Sequence, residues 1–194
     1  TDTLGSHSVA VGPSALRTQN FTTATSAMNT AVGSFAMYAN TTGINNTAVG
    51  RSALQVNTTG AENVAVGTYS LDANTTSDGS TAIGYAALST NSGANNTAVG
   101  RRALDANTTG IDNVALGANA LDSNTTANDN VAIGRYALQA VTTSADNVAV
   151  GSSALYNNTG AQNTAVGRSA LLANTTGEIN TAMGYLALAK LTTG

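Results

Sequence analysis

The stretch Asn46-Thr47-Ala48-Val49-Gly50-Arg51-Ser52-Ala53-Leu54-Gln55-Val56-Asn57-Thr58-Thr59-Gly60 holds nearly everything the chain repeats. Its glycine after Thr-Ala-Val recurs as Gly12, Gly33, Gly50, Gly67, Gly84, Gly100, Gly117, Gly134, Gly151, Gly167 and Gly184. The ten spacings between these are 21, 17, 17, 17, 16, 17, 17, 17, 16 and 17 residues. A fixed period of this length is the signature of a stacked repeat architecture. Counted from this origin glycine, position −2 is Ala in every unit, −1 is Val, Ile, Leu or Met, and −3 is Thr or Val. Position −4 is Asn except at Ser8 and Ser80, +3 is Ala except at Ser70, and +4 is Leu except at Met37. Position +7 is usually Asn and opens an Asn-Thr-Thr-Gly turn.

Length varies only in that turn. Asn91-Ser92-Gly93 and Asn158-Thr159-Gly160 each lack one residue of it, and the 21-residue step adds residues between Gln19 and Met28. A constant apolar segment beside an adjustable turn is the pattern of a core with a surface loop. Thr/Val-Ala-Val alternates with period 2 and stops at Gly, and the second apolar stretch, Ala53-Leu54 in this unit, is equally short. Gly, Asn and Thr punctuate both sides, which leaves no room for a helix of 10–12 residues. The pattern predicts an all-β parallel β-solenoid, residues 1–194 forming a single repeat array of about 11 coils of ~17 residues, with two short strands per coil.

In such a stack each column of the repeat becomes a row along the axis, with coils about 4.8 Å apart. The Val/Ile and Leu columns are expected to fill the interior. The Asn column before the strand is expected to form an amide ladder, and the origin Gly to occupy a corner where a Cβ would clash. Each coil offers only two or three sizeable apolar side chains, a thin core for 17 residues. The Ala column on the other strand face is therefore expected to pack against neighbouring chains, most simply in a homotrimer. Neither end carries a polar cap, which implies a segment of a longer fibre or a unit continued by another chain.

Composition narrows the function. Charged residues are 9% and aromatic residues 4% of the chain, and the net charge is −3. An ordinary globular domain carries about 25% charge, and a negative chain is a poor nucleic-acid surface. No cysteine is present, which excludes disulfide, zinc-thiolate and iron–sulfur frameworks. No uninterrupted apolar run of about 18 residues exists, so no membrane insertion is expected, and no signal peptide is visible.

Asn63-Val64-Ala65-Val66-Gly67, Asn130-Val131-Ala132-Ile133-Gly134 and Ser8-Val9-Ala10-Val11-Gly12 resemble the head repeats of trimeric autotransporter (YadA-like) adhesins. The longer Asn-Thr-Ala-Val-Gly-x-x-Ala-Leu-x-x-Asn-Thr-Thr-Gly form is similar to the repeat arrays of bacteriophage tail fibres. The resemblance runs from about Ser8 to Lys190. It implies a left-handed β-roll, three chains per rod, and attachment to a host or surface. The function expected on these grounds is that of a structural and adhesive protein, the extracellular rod of a phage tail fibre or virion appendage. The alternatives are the head of a bacterial cell-surface adhesin and a subunit of a self-assembling extracellular filament. A host surface glycan or receptor is a partner such a rod would have.

Candidate sites are few. Asp112, Asp129 and Asp146 share the −5 column in three successive coils, where stacked carboxylates repel and a cation would relieve them; a solvated acidic edge is the simpler reading. Arg51, Arg101, Arg135 and Arg168 follow the origin Gly, and Asp72, Asp105 and Asp122 lie at +5, suited to exposed cross-coil ion pairs of about 0–1 kcal/mol each. Tyr38, Tyr69, Tyr85, Tyr136, Tyr156 and Tyr185 scatter over several columns, suited to filling gaps between chains or to stacking on sugars. His7 is the only histidine, so neither a triad nor a metal set can be built around it. No paired carboxylates of the sugar-cleaving kind stand out. The expectation is no enzyme, no catalytic residues, no cofactor and no resident metal.

Overall fold

The computed structural model describes residues 5–21 and 23–194. It is an all-β parallel solenoid of about ten turns, one per repeat, and no helix occurs among the described residues. A short pair, β1 (Gly5–Ser6) and β3 (Thr25–Ser26), stands beside one long sheet. That sheet begins with β2 (Val9–Val11) and β4 (Thr30–Val32) and continues with one three-residue strand per coil, from β5 (Thr47–Val49) to β13 (Thr181–Met183). Its eleven strands run in chain order, all parallel and in register. Val131, Ala132 and Ile133 thus stand against Val148, Ala149 and Val150 of the next coil. The 21-residue step is the place where β3 is inserted. It carries the buried Phe21, and Gln19 takes the column position that Asn holds elsewhere.

The strand prediction holds for Thr/Val-Ala-Val and fails for Ala-Leu, so each coil from β5 onward has one strand and not two. The segment after the origin glycine is a run of turns in which left-handed residues alternate with right-handed ones. In the unit of Gly50, Ser52 has φ 55° and Leu54 φ 52°. This alternation closes short rings, as from Ala53 N–H to Gly50 O (3.4 Å) and from Asn57 N–H to Leu54 O (3.4 Å). It also leaves every second amide pointing along the axis. Leu54 N–H donates to Ser70 O at 3.0 Å, and Ala39 N–H to Gln55 O at 2.9 Å. The backbone therefore bonds coil to coil in the turns as well as in the strands, which satisfies polar groups that a ladder would otherwise pair.

The origin glycine is a tight corner, as predicted. A Cβ on Gly50 would meet Gly67 O at 2.5 Å, and its φ of +139° is one that side-chain-bearing residues avoid.

The interior differs from the expectation in which strand face it takes. Away from the end coils, Ala48, Ala65, Ala82 and their equivalents are fully buried, together with the +3 Ala and the +4 Leu columns. The −1 column points outward: Val49 is 37% exposed, Ile83 40% and Leu116 45%. The predicted Val/Ile core and outward Ala stripe are thus exchanged. A single coil encloses a narrow space, already occupied by Leu on the turn side and by two rows of Asn. Only a methyl group fits where the strand faces inward, and close packing forbids anything larger there.

The two Asn rows are the polar half of this core. The row before the strand forms the expected ladder. Asn46 N–H donates to Asn29 Oδ1 (2.9 Å), and Asn46 Nδ2 donates to Gly60 O (2.8 Å), so each amide ties its own coil to both neighbours. The +7 row, read from sequence as part of a surface turn, is buried as well and makes a second ladder. Asn57 Nδ2 donates to Asn40 Oδ1 (2.8 Å) and to Gly60 O (2.9 Å). The first Thr of each turn adds a third row, as Thr58 Oγ1 donates to Thr75 O at 3.0 Å. Buried polar groups arranged this way stabilise the stack only while each finds its partner.

Candidate functional site

Two surfaces carry side chains that the stack itself does not need. The first is the outer face of the long sheet. Strand residues alternate, so with Ala inward both flanking residues face out. The −3 column gives Val9, Thr47, Val64 and Val114, and the −1 column gives Val11, Val49, Ile83 and Leu116. The result is a stripe one strand wide that runs the length of the sheet.

The second surface is the turn segment that follows the origin glycine. Its side chains at +1, +5 and +6, and most of those at +2, reach the surface. All six Arg, all six Tyr and Phe35 occupy columns +1, +2 and +5. Four of the Tyr residues that look scattered in sequence are paired in space, and Tyr38 pairs with Phe35. Phe35 and Tyr38 lie 5.7 Å apart, Tyr69 and Tyr85 6.2 Å in an edge-on arrangement, and Tyr136 and Tyr156 6.1 Å, also edge-on. Arginines lie against the same rings: Arg135 is 4.4 Å from the Tyr136 centroid and Arg51 is 5.5 Å from that of Tyr69. Cation–π contacts of this kind contribute about 0.5–1 kcal/mol at exposed positions.

Between the coils of Gly67 and Gly100 this face holds a shallow, open cavity of ≈ 580 Å³, bounded by Tyr69, Asp72, Tyr85, Ser89, Arg102 and Asp105 among others. Arg102 Nε donates to Asp105 Oδ2 at 2.7 Å, and its Nη2 lies 3.9 Å from Asp122 Oδ1 in the next coil. The hydrogen bond to Asp105 raises the Arg102 pKa above its usual value. The Ser89 hydroxyl donates to the other Asp105 oxygen. Asp72 is different. Its Oδ1 is buried with no hydrogen-bond partner. Burial, opposed by a backbone hydrogen bond and aided by the charge of Asp105, pushes its pKa up to about 6.

The remaining sequence candidates lie elsewhere. Asp112, Asp129 and Asp146 stand in a row at exposed left-handed corners, with φ of 57°, 57° and 60°. Asn and Asp accept that conformation readily. Among the described residues no three His, Cys, Asp or Glu side chains gather into a group that could hold a metal ion. His7 Nδ1 lies 3.2 Å from the Ser26 hydroxyl. The expected ion pairs involve Arg102 at +2, while Arg51, Arg135 and Arg168 at +1 lie against tyrosines. No helix of the described residues is long and apolar enough to cross a membrane.

No protein-family model, no curated protein and no solved structure matches the chain.

Proposed function

We propose that this chain is a rod segment of an extracellular fibre, a left-handed roll assembled as a homotrimer. Its role is structural and adhesive, in the manner of a phage tail fibre or virion appendage. It works mechanically, not as an enzyme. A stiff stack holds binding groups away from a base, and three parallel copies multiply weak contacts into avidity.

The observation that carries this reading is the outward Val/Thr stripe. Eleven strands at about 4.8 Å spacing and about 10 Å of strand width make a patch on the order of 500 Å². That extent equals the largest apolar patch of a typical soluble monomer, which is often functional, and here it is drawn out into one continuous line. Its repeat matches the coil spacing, so a parallel copy of the same chain meets it row for row. Three such stripes facing a common axis bury one another's Val and Ile side chains, and they add the apolar core that a single thin coil lacks. The Arg and Tyr columns, which would bury charge at such an axis, then remain on the outside.

Sedimentation equilibrium of the purified chain tests this. The expected mass is three times the 19.2 kDa of one chain. Val99→Lys combined with Ile133→Lys places charges on the stripe and is expected to shift the population to monomer. A wild-type chain that stays monomeric and folded at micromolar concentration overturns the assembly.

A further inference from the structure

We infer that the cavity beside Tyr85 is a binding site for a neutral, hexose-based saccharide. The inference deepens the fibre reading, since it gives the chemistry of what the rod's outer surface takes hold of.

The platform comes first. Tyr85 is 51% exposed. Its ring packs against that of Tyr69 at 6.2 Å and 84°. A half-exposed ring packed against a neighbour offers a flat apolar surface. A pyranose ring has the complementary shape, with a patch of C–H bonds on one face and hydroxyls around the rim. Stacking the two covers apolar area on both while leaving the hydroxyls free to bond.

The polar groups supply those bonds. Asp105 is held from two sides, by Arg102 at 2.7 Å and by the Ser89 hydroxyl. Asp72, in the same +5 column two coils before Asp105, keeps a buried carboxylate oxygen without any donor. An underpartnered carboxylate is unfavourable, and since Asp72 lines the cavity, a ligand hydroxyl donating to the side of the carboxyl that faces the cavity eases the deficit. Adjacent hydroxyls on a sugar bring the donors that such an acceptor lacks.

Charge selects among sugars. The cavity lining includes Asp72 and Asp105 and also Arg101 and Arg102, which balance. With Arg102 engaged by Asp105, Asp72 and the exposed Arg101 remain, one acceptor and one donor with no net charge. Such a lining suits an uncharged ring that both donates and accepts hydrogen bonds. The volume of ≈ 580 Å³ lies within the range of small-ligand sites.

The test uses the full chain on an array of neutral hexose and N-acetylhexosamine oligosaccharides, with sialylated and sulfated glycans alongside. Calorimetry then follows with the best neutral binder. Binding to a neutral saccharide is expected. Tyr85→Ala and Asp72→Asn should each weaken it by about tenfold or more, and Tyr185→Ala, distant from the cavity, should leave it unchanged. Thermal melts run in parallel establish that the variants fold. Should Tyr85→Ala fail to fold, the near-isosteric Asp72→Asn decides. Absence of any neutral binder, binding confined to anionic glycans, or affinity that survives either cavity substitution overturns the inference. Sedimentation of the same sample separates the two proposals. A trimer that takes no sugar defeats this site alone, and a monomer that takes one defeats the fibre assembly alone.

Discussion

Burial works against the charge on Asp72. With its pKa raised from 3.8 to about 6, the folded chain holds a proton on this carboxyl at pH values where the unfolded chain has released it. Stability from this group is therefore present in full below about pH 4, and it is lost as pH rises through about 6. Other carboxylates add a background shared by any variant, so the informative quantity is a difference. Asp72→Asn removes the titration. Its melting temperature relative to wild type should increase from pH 4 to pH 7, with the gain concentrated between those values. Parallel melting profiles across that range would show that Asp72 is solvated in the folded chain. The same half-buried residue lines the cavity beside Tyr85, which sets its carboxyl next to any ligand held there.

The Asn rows show what a column contributes when one member is missing. Asn124 Oδ1 is buried without a partner, and the next residue in its row is Val141. Asn174 Oδ1 is in the same position, and its row continues with Leu191. Val141→Asn would donate to Asn124 Oδ1 as Asn124 Nδ2 now donates to Asn107 Oδ1 at 2.8 Å. The substitution is expected to stabilise the chain by about 1 kcal/mol, read as an upward shift in denaturation midpoint. A lower midpoint would mean that the apolar contacts of Val141 outweigh the ladder. The ladder before the strand was legible in sequence because Asn recurs there beside a strand that had to be in the core. The second ladder was not, because Asn followed by Thr-Thr-Gly has the composition of a solvent-facing turn. The choice of strand face was also out of reach. Period 2 separates Ala from Val, but it does not say which of them points inward. Hydrophobicity alone favours Val, and the narrowness of one coil, a property of the closed turn, reverses it. The turn segment itself was misread as a strand, since alternating left-handed residues such as Ser52 and Leu54 leave no mark in residue types that ordinarily avoid positive φ.

Taken along its length, the chain keeps a uniform interior and a varied outer edge. The period, the corner glycines and the parallel stack were all readable from spacing, because each depends on one column at a time. The candidate saccharide site was not, because it depends on columns +1, +2 and +5 meeting across coils. Only the folded turn brings Tyr69, Tyr85 and Arg102 to one cavity. The axial direction of the backbone hydrogen bonds, in strands and turns alike, has a mechanical consequence. Tension applied between the two ends of the stack does not load these bonds together. It peels the terminal coil from its neighbour, then the next, one rung at a time. Single-molecule stretching of the chain should give a regular series of small force peaks, each releasing one coil. A coil of about 17 residues extends to about 55–60 Å, less the ~5 Å it occupied in the stack, so the peaks should be about 50–55 Å apart in contour length. A single large rupture would show that the coils shear as one body. Peaks of equal spacing would mean that the rod yields gradually under drag, losing coils from an end while the remainder stays intact.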